Sequence, residues 1–519
     1  MIRLIIDGQQ IEVADGTTIL EAARTLEIDI PTLCHLPEIH GNTSCMLCAV
    51  QVTGHNSFLP SCSIPVEEGM TVVTENAILE DYRRTTLELL FSEHTGECLA
   101  PCQLACPAHL DVPTMMSQIA NERFDDVIHT IKQTLALPAI LGYICPAPCE
   151  NACRRNQIDN SASICLLKKS VAEKDYLSKT PYLPKIAKSS GKRVAIIGAG
   201  PAGLATAFYA TRAGHACTIF DDHELPGGML RYGIPEDILP RKLLEQEIDQ
   251  ILALGIVFRP WSKIETTAQL ADLRSRYDAV VLTIGNVDEV EAVFGLVKSS
   301  RGIRINPTNF ATAANGIFAG GDCVHPRRLA VQSEAHGRQI AESISQYLID
   351  EPVIGIPQRT TSRLKRLNSD ELNQFLKNSN IPPNAWERPE TASEIRSDIE
   401  LAQVCLQCGC RSAEDCQLRL YSDRYGANPR HFRNNHAPVE RIDTHPQVLF
   451  EPGKCIKCGL CVAISEQEHL GLTFIGRGFD VRVGVPFDDT LEAGLAETAD
   501  ACIAACPTGA IAKKEHISK

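Results

Sequence analysis

Val194-Ala195-Ile196-Ile197-Gly198-Ala199-Gly200-Pro201-Ala202-Gly203 is the stretch on which the reading of this fold turns. Its apolar, β-branched opening reads as a buried strand, its glycines as a tight turn, and Pro201 through Ala213 as a helix. A second strand, Cys217-Thr218-Ile219-Phe220, follows and ends at Asp221. The pattern G-x-G-x-x-G is weak alone. Between a strand and a helix, with an acidic residue closing the next strand, it specifies a dinucleotide site. The turn lets backbone approach a pyrophosphate at the helix N-terminus, and Asp221 can accept from ribose hydroxyls. Gly198, Gly200, Gly203 and Asp221 are therefore cofactor-binding candidates. The competing reading is a glycine turn without a ligand. The α/β segment runs to about Tyr347.

Working outward, the chain carries 22 cysteines, and they are grouped. Only Cys217 and Cys323 stand apart. The first group is Cys34-x10-Cys45-x2-Cys48-x13-Cys62. The second reads His94-x3-Cys98-x3-Cys102-x3-Cys106-Pro107, then Cys145, Cys149 and Cys153, then Cys165. The third is Cys405-x2-Cys408-x-Cys410-x5-Cys416, and the last is Cys455-x2-Cys458-x2-Cys461, closed by Cys506-Pro507. Thiolates at these spacings hold iron–sulfur clusters. Structural zinc competes for the first and third groups, because it also takes four thiolates.

Composition narrows the rest. The chain has 519 residues, 44% of them hydrophobic, 5% aromatic, and a formal charge of -14. Few aromatics and net negative charge argue against nucleic acid and anionic membranes as partners. No run approaches the roughly 18 apolar residues of a membrane helix. Met1-Ile2-Arg3-Leu4-Ile5-Ile6-Asp7 reads as a short strand rather than a signal peptide. Reduced, metal-binding cysteines then fit a cytoplasmic location.

The segments expected are 1–78, β-rich with a hairpin around Asp7-Gly8 and a helix from Thr18 to Leu26; 79–185, helical; and 190–350, α/β. A Pro-, Ser- and charge-rich connector, 351–400, precedes cysteine-rich segments at 401–440 and 445–519.

Residues 1–78 resemble the [2Fe–2S] ferredoxin domain that opens the large iron–sulfur subunit of complex I and iron-only hydrogenases. Residues 79–185 resemble the helical domain of the glutamate synthase small subunit and of dihydropyrimidine dehydrogenase, which holds two [4Fe–4S] clusters. Carried over, Cys98, Cys102 and Cys153 would serve one cluster, and Cys106, Cys145 and Cys149 the other. The first cysteine of that family is missing, and His94 is the nearest substitute; the competing reading of His94 is a surface helix residue. The family's last ligand, Gln or Glu, falls near Lys168 and Lys169, so Cys165 is the better candidate. The α/β segment resembles the same family in Gly227-Gly228-Met229-Leu230-Arg231-Tyr232-Gly233-Ile234-Pro235 and in Asn315-Gly316-Ile317-Phe318-Ala319-Gly320-Gly321-Asp322. This implies FAD, with Gly227, Gly228, Gly321 and Asp322 added to its site. Relatives insert an NADPH domain before Gly316, whereas only 30 residues separate Gly285 from Gly316 here. An inserted domain needs on the order of 100 residues, so no NAD(P) site is expected. The last group resembles a two-cluster ferredoxin domain reduced to one cluster, with Ser465, Ala496 and Ala499 in place of ligands and Cys502 a bystander.

The expected fold class is therefore multidomain α+β and α/β: a β-grasp ferredoxin, a helical iron–sulfur domain, a Rossmann-type FAD domain and a C-terminal ferredoxin-like domain. The cofactors implied are one FAD, one [2Fe–2S] and three or four [4Fe–4S] clusters. The function implied is electron transfer in a multisubunit oxidoreductase, with a hydrogenase, a formate dehydrogenase or an NAD-binding flavoprotein as catalytic partner and ferredoxin as a further one. The alternative is a self-contained FAD-dependent reductase of a small substrate or of ferredoxin.

Overall fold

Leu4 and Ile6 alternate inward along the strand Ile2–Ile6, and the turn Asp7-Gly8, both at positive φ, returns the chain as Gln9–Val13. These strands form one edge of a five-stranded sheet in the order Gln9–Val13, Ile2–Ile6, Thr71–Val73, Ala49–Val52, Leu59–Pro60. Ile2–Ile6 and Thr71–Val73 run parallel; the other pairs are antiparallel. The helix Ile19–Thr25 starts in a capping box between Thr18 and Glu21 and lays Ile19, Leu20 and Ala23 on that sheet.

The computed structural model describes the chain except residues 38–42, 286–293, 301, 327–328, 378, 380, 389–396, 433–437, 468–469 and 515–519. Parts of the Gly285–Gly316 segment, of the connector and of the terminal segments lie outside the described residues. Two units emerge: Met1–Ala100 with Arg359–Asn378 and Gln407–His516, and Pro101–Gln358 with Ser379–Leu406. The segment 351–400 is thus divided between them. Its Ser369–Leu376 helix goes with the first unit. In the second, fully buried Trp386 donates to the Ser161 carbonyl at 3.0 Å, and buried Arg155 donates to Ser379 Oγ at 3.2 Å. A few anchoring side chains in a polar stretch bind it to the core, which its average composition does not show.

In the first unit, the helix Ala77–Glu93 packs along Gln417–Tyr425, and Arg83, fully buried, donates to the carbonyls of Leu47, Ala49 and Thr74. Val448–Phe450 pairs antiparallel with Ile511–Lys513, which brings the Cys455 run beside Cys506.

The second unit holds a run of short helices from Pro101–Ala105 to Ile164–Leu177, then a sheet whose strands are all parallel. Its order is Ile317–Ala319, Ala279–Leu282, Arg193–Ile197, Ala216–Phe220, Val257–Arg259. The helices Pro201–Arg212 and Ala330–Leu348 cross in tight contact at Gly337, where a Cβ would come within 2.6 Å of the Ala202 carbonyl oxygen. Past Gly285, Phe294, Leu296 and Ile303 join the core beneath this sheet. Among the described residues, no helix is long and apolar enough to cross a membrane.

Candidate iron–sulfur and dinucleotide sites

The first cysteine group converges in the first unit. Cys34 and Cys45 lie 3.4 Å apart at sulfur, and all four thiols are buried. The hydrogen bond with Cys45 draws the Cys34 thiol down to about 6, and that with Cys62 draws Cys48 down to about 7. Thiols this close share protons readily and deprotonate together when a cation replaces the protons.

A second quartet forms in the second unit. The thiol of Cys165 faces those of Cys145 and Cys149, and Cys106 lies within the field of Cys145. The short helices Pro101–Ala105 and Pro148–Asn151 pack together and bring these strands of sequence into register. Lys168 is buried among the four thiols. Burial alone would lower its pKa, but the surrounding sulfurs hold it above the usual lysine range. Lys169 instead sits over the Tyr143 ring, 3.7 Å from its centre. Buried Glu150 fixes the Cys165 backbone by accepting from its N–H at 2.8 Å. In the same unit, Cys153 is half-buried and Cys102 buried.

The last group also converges. Cys455, Cys458, Cys461 and Cys506 line one cavity with Phe450 and Ile511. Burial pushes the Cys455 and Cys458 thiols up to about 11 and about 12. The Cys455 sulfur accepts from Lys457 N–H at 3.3 Å, and the Cys506 sulfur from Ile511 N–H at 3.4 Å. Ser465 is fully buried and accepts from Leu472 N–H at 2.7 Å, while Leu472, Leu491, Leu495 and Ala499 fill the neighbouring space. Cys502 is buried there with them.

The third group is divided, because the units meet in sequence between Leu406 and Gln407. Cys405 belongs to the second unit; Cys408, Cys410 and Cys416 belong to the first, as do His94 and Cys98. His94 is buried, 7% exposed, at the C-terminal cap of Ala77–Glu93 and edge-on to Phe91, so it is not a surface residue. Cys217 and Cys323 are closed into the α/β core, where burial pushes them up to about 11 and about 12.

The glycine turn has the shape its spacing implies. Gly198 has φ +107, and a Cβ there would strike the Thr283 carbonyl oxygen at 2.4 Å. A Cβ on Gly203 would lie 1.9 Å from the Gly198 oxygen, whereas one on Gly200 would meet nothing within 4 Å. The open space over Gly200 is what a pyrophosphate needs. Asp221 accepts from Ala199 N–H at 2.6 Å and from His223 N–H at 2.9 Å, which fixes its carboxylate beside the turn. Gly228 packs on Gly200, and Gly321 faces Ala202, with positive φ at Gly227, Gly228 and Gly321. The Gly321 N–H donates to His336 Nδ1 at 3.1 Å, tying the Gly321-Asp322 turn to the helix Ala330–Leu348.

Three family models match. Residues 1–77 match a 2Fe-2S iron-sulfur cluster binding domain, residues 91–180 the dihydropyrimidine dehydrogenase domain II with its 4Fe-4S cluster, and residues 196–237 an NAD(P)-binding Rossmann-like domain. The chain is therefore a mixed α/β protein that joins iron–sulfur domains to a Rossmann-like domain. It is 34% identical over 52% of its length to the NADPH-Fe(3+) oxidoreductase subunit beta of Geobacter sulfurreducens, covering 39% of that protein. It is 37% identical over 36% of its length to the NADP(+)-dependent formate dehydrogenase subunit beta of Moorella thermoacetica, covering 29% of it. A third relative is the Salmonella typhimurium NAD-dependent dihydropyrimidine dehydrogenase subunit PreT, 34% identical over 38% of this chain and 49% of that protein. The match thus spans less than half the length of each of these relatives.

Proposed function

We propose that this chain is the electron-transfer iron–sulfur flavoprotein subunit of a multisubunit, cytoplasmic oxidoreductase. The observation that carries the reading is the convergence of three separate thiol quartets in a chain that also presents an open glycine cradle. Cys34, Cys45, Cys48 and Cys62 hold a [2Fe–2S] cluster in a β-grasp domain. Cys106, Cys145, Cys149 and Cys165 hold one [4Fe–4S] cluster, and Cys455, Cys458, Cys461 and Cys506 another in a ferredoxin-like domain. Gly198, Gly200, Gly203, Asp221, Gly227, Gly228, Gly321 and Asp322 hold FAD. The donor sets fit: thiols suit iron–sulfur clusters, and the space over Gly200 suits a pyrophosphate. When bound, the clusters exchange single electrons and FAD one or two, which joins one-electron carriers to a two-electron partner.

The chain's own residues set the conditions. Lys168 places a positive charge against its quartet, and backbone N–H groups of Lys457 and Ile511 donate to sulfur; both favour the reduced cluster by stabilising added negative charge. The chain carries no NAD(P) site of its own on this reading, so the substrate chemistry belongs to a partner subunit. Two relatives are named as beta subunits, of an NADPH-Fe(3+) oxidoreductase and of an NADP(+)-dependent formate dehydrogenase, which supports a place in a multisubunit enzyme. The test is tagged purification of the native assembly, with iron and flavin counted and partners identified by mass spectrometry. The expected result is turnover only with a catalytic partner. A lone chain that reduces a substrate with NADPH would overturn the proposal.

A further inference from the structure

Three cysteines from two sequence groups, Cys98 and the pair Cys410 and Cys416, meet in the first unit. The Cys410 N–H donates to the Cys98 carbonyl at 3.3 Å, so the two chain segments run side by side. Gly409 permits this approach: a Cβ there would come within 3.3 Å of Ala100 N. The Cys98 sulfur accepts from Ser362 N–H at 3.3 Å. The Cys410 sulfur sits against Gly509, 3.3 Å from where a Cβ would stand, and the Cys416 sulfur lies 3.7 Å from the Pro507 carbonyl oxygen. Both sulfurs therefore abut the same turn after Cys506, and Cys98 shares a field with each.

The charges around them are those of an anion site. Arg419 is buried beside Cys98, held by the carbonyls of Thr360 at 2.7 Å and Ala413 at 2.8 Å. Lys454 is buried beside both Cys98 and Cys410. Three thiolates bridged by iron and sulfide carry net negative charge; buried Arg419 offsets it where water cannot, and Lys454 adds to this while also paired with buried Glu451.

We propose that Cys98, Cys410 and Cys416 are ligands of one and the same iron–sulfur cluster. This rests on the reading of the chain as an iron–sulfur protein. It departs from the sequence grouping, which gives Cys98 to a cluster with Cys102 and Cys153, and gives Cys410 and Cys416 to one with Cys405 and Cys408. Cys98 thereby ties the N-terminal stretch of the first unit to its C-terminal stretch.

The test uses the anaerobically purified full chain and compares Cys98→Ser, Cys410→Ser, Cys416→Ser and the double variant Cys98→Ser/Cys410→Ser. Each single variant is expected to lose about four irons, the content of one cubane, and the same EPR signal, and the double variant is expected to lose no more. Loss of about eight irons in the double variant, or of different signals in the singles, would overturn the shared site. Loss of zinc instead of iron would do so too. An unmodified chain with no iron at all would sink the underlying reading instead. The [2Fe–2S] signal and flavin absorbance report whether each variant has folded. If the serine variants fail to fold, Cys98→Asp and Cys410→Asp keep an anionic donor. Both must then shift the g-values of one signal, and shifts in two different signals count against the proposal.

Discussion

Gly200 and Gly203 lie one helical turn apart and serve different ends. Gly203 is needed by the protein, because a side chain there would collide with the Gly198 oxygen. Gly200 carries no such packing constraint: its φ of -76 suits any residue, and a Cβ would point into the open space proposed for a pyrophosphate. Gly203→Ala should therefore destabilise the α/β fold by about 1–3 kcal/mol, the usual cost of overpacking. Gly200→Ala should leave thermal stability of the flavin-free chain unchanged yet weaken FAD retention roughly tenfold, equivalent to about 1.4 kcal/mol. Flavin content after gel filtration, measured beside the melting temperature of the apoprotein, separates the two. Equal loss of stability in both variants would show that Gly200 has a packing role. The same economy is visible at Met46, Gln407 and Lys457, each a non-glycine residue at positive φ inside a Cys-x2-Cys turn. Such a conformation costs on the order of 1–2 kcal/mol, and at Lys457 it accompanies the N–H bond to the Cys455 sulfur.

The short helix Pro138–Ile144 links the Rossmann-like fold to a cysteine quartet, since it ends at Cys145. Two buried carboxylates receive its N-terminal amides. Glu334 accepts from Ala136 at 3.0 Å and Leu137 at 3.4 Å, and Glu247 accepts from Ala139 at 2.9 Å and Ile140 at 2.7 Å. Tyr176 also donates to Glu247, and Lys132, Lys168 and Tyr209 complete the charged and titratable surroundings. Burial first, and the neighbouring Glu247 second, push Glu334 up to about 8. Its folded pKa thus exceeds its unfolded value. The stabilisation is complete below about 4.5 and is lost as pH rises through about 8. Glu334→Gln should flatten the fall in stability across that window, whose slope is at most about 1.4 kcal/mol per pH unit for one proton. Melting temperatures of both forms from pH 5 to pH 9, on the order of the two pKa values, check this; parallel curves would exclude Glu334 as the source. The sequence hides this element. The glycine turn and the Cys455 run are legible because their geometry is local. Glu247 and Glu334 read as ordinary polar positions on helices, and only packing shows that they face a third helix. Cys98 is the same case: its spacing to Cys102 is plain, but its neighbour Cys410 is supplied by a distant stretch of chain.

At the scale of the whole molecule, the first unit folds the two ends of its cysteine series together. Cys34, Cys45, Cys416 and Cys458 share one core cluster with Leu33, Leu47, Phe91 and Leu460. The Cys458 thiol lies within the field of Cys34, so the N-terminal and C-terminal quartets are neighbours although the sequence places them at opposite ends. Two paramagnetic clusters held this close relax one another's spins. In the reduced full chain, the [2Fe–2S] EPR signal should accordingly resist microwave power saturation. Replacing Cys458 by Ser, which removes a ligand of the neighbouring quartet, should make that signal saturate at lower power without changing its g-values. A change in g-values would mean that the Cys34 quartet itself had been disturbed, and the comparison would then move to Cys506→Ser, which lines the same cavity. Saturation behaviour unaltered in both variants would contradict the adjacency. Exchange between the two quartets would then have to run through another carrier, and the apolar core around Cys34 and Cys458 would serve packing alone.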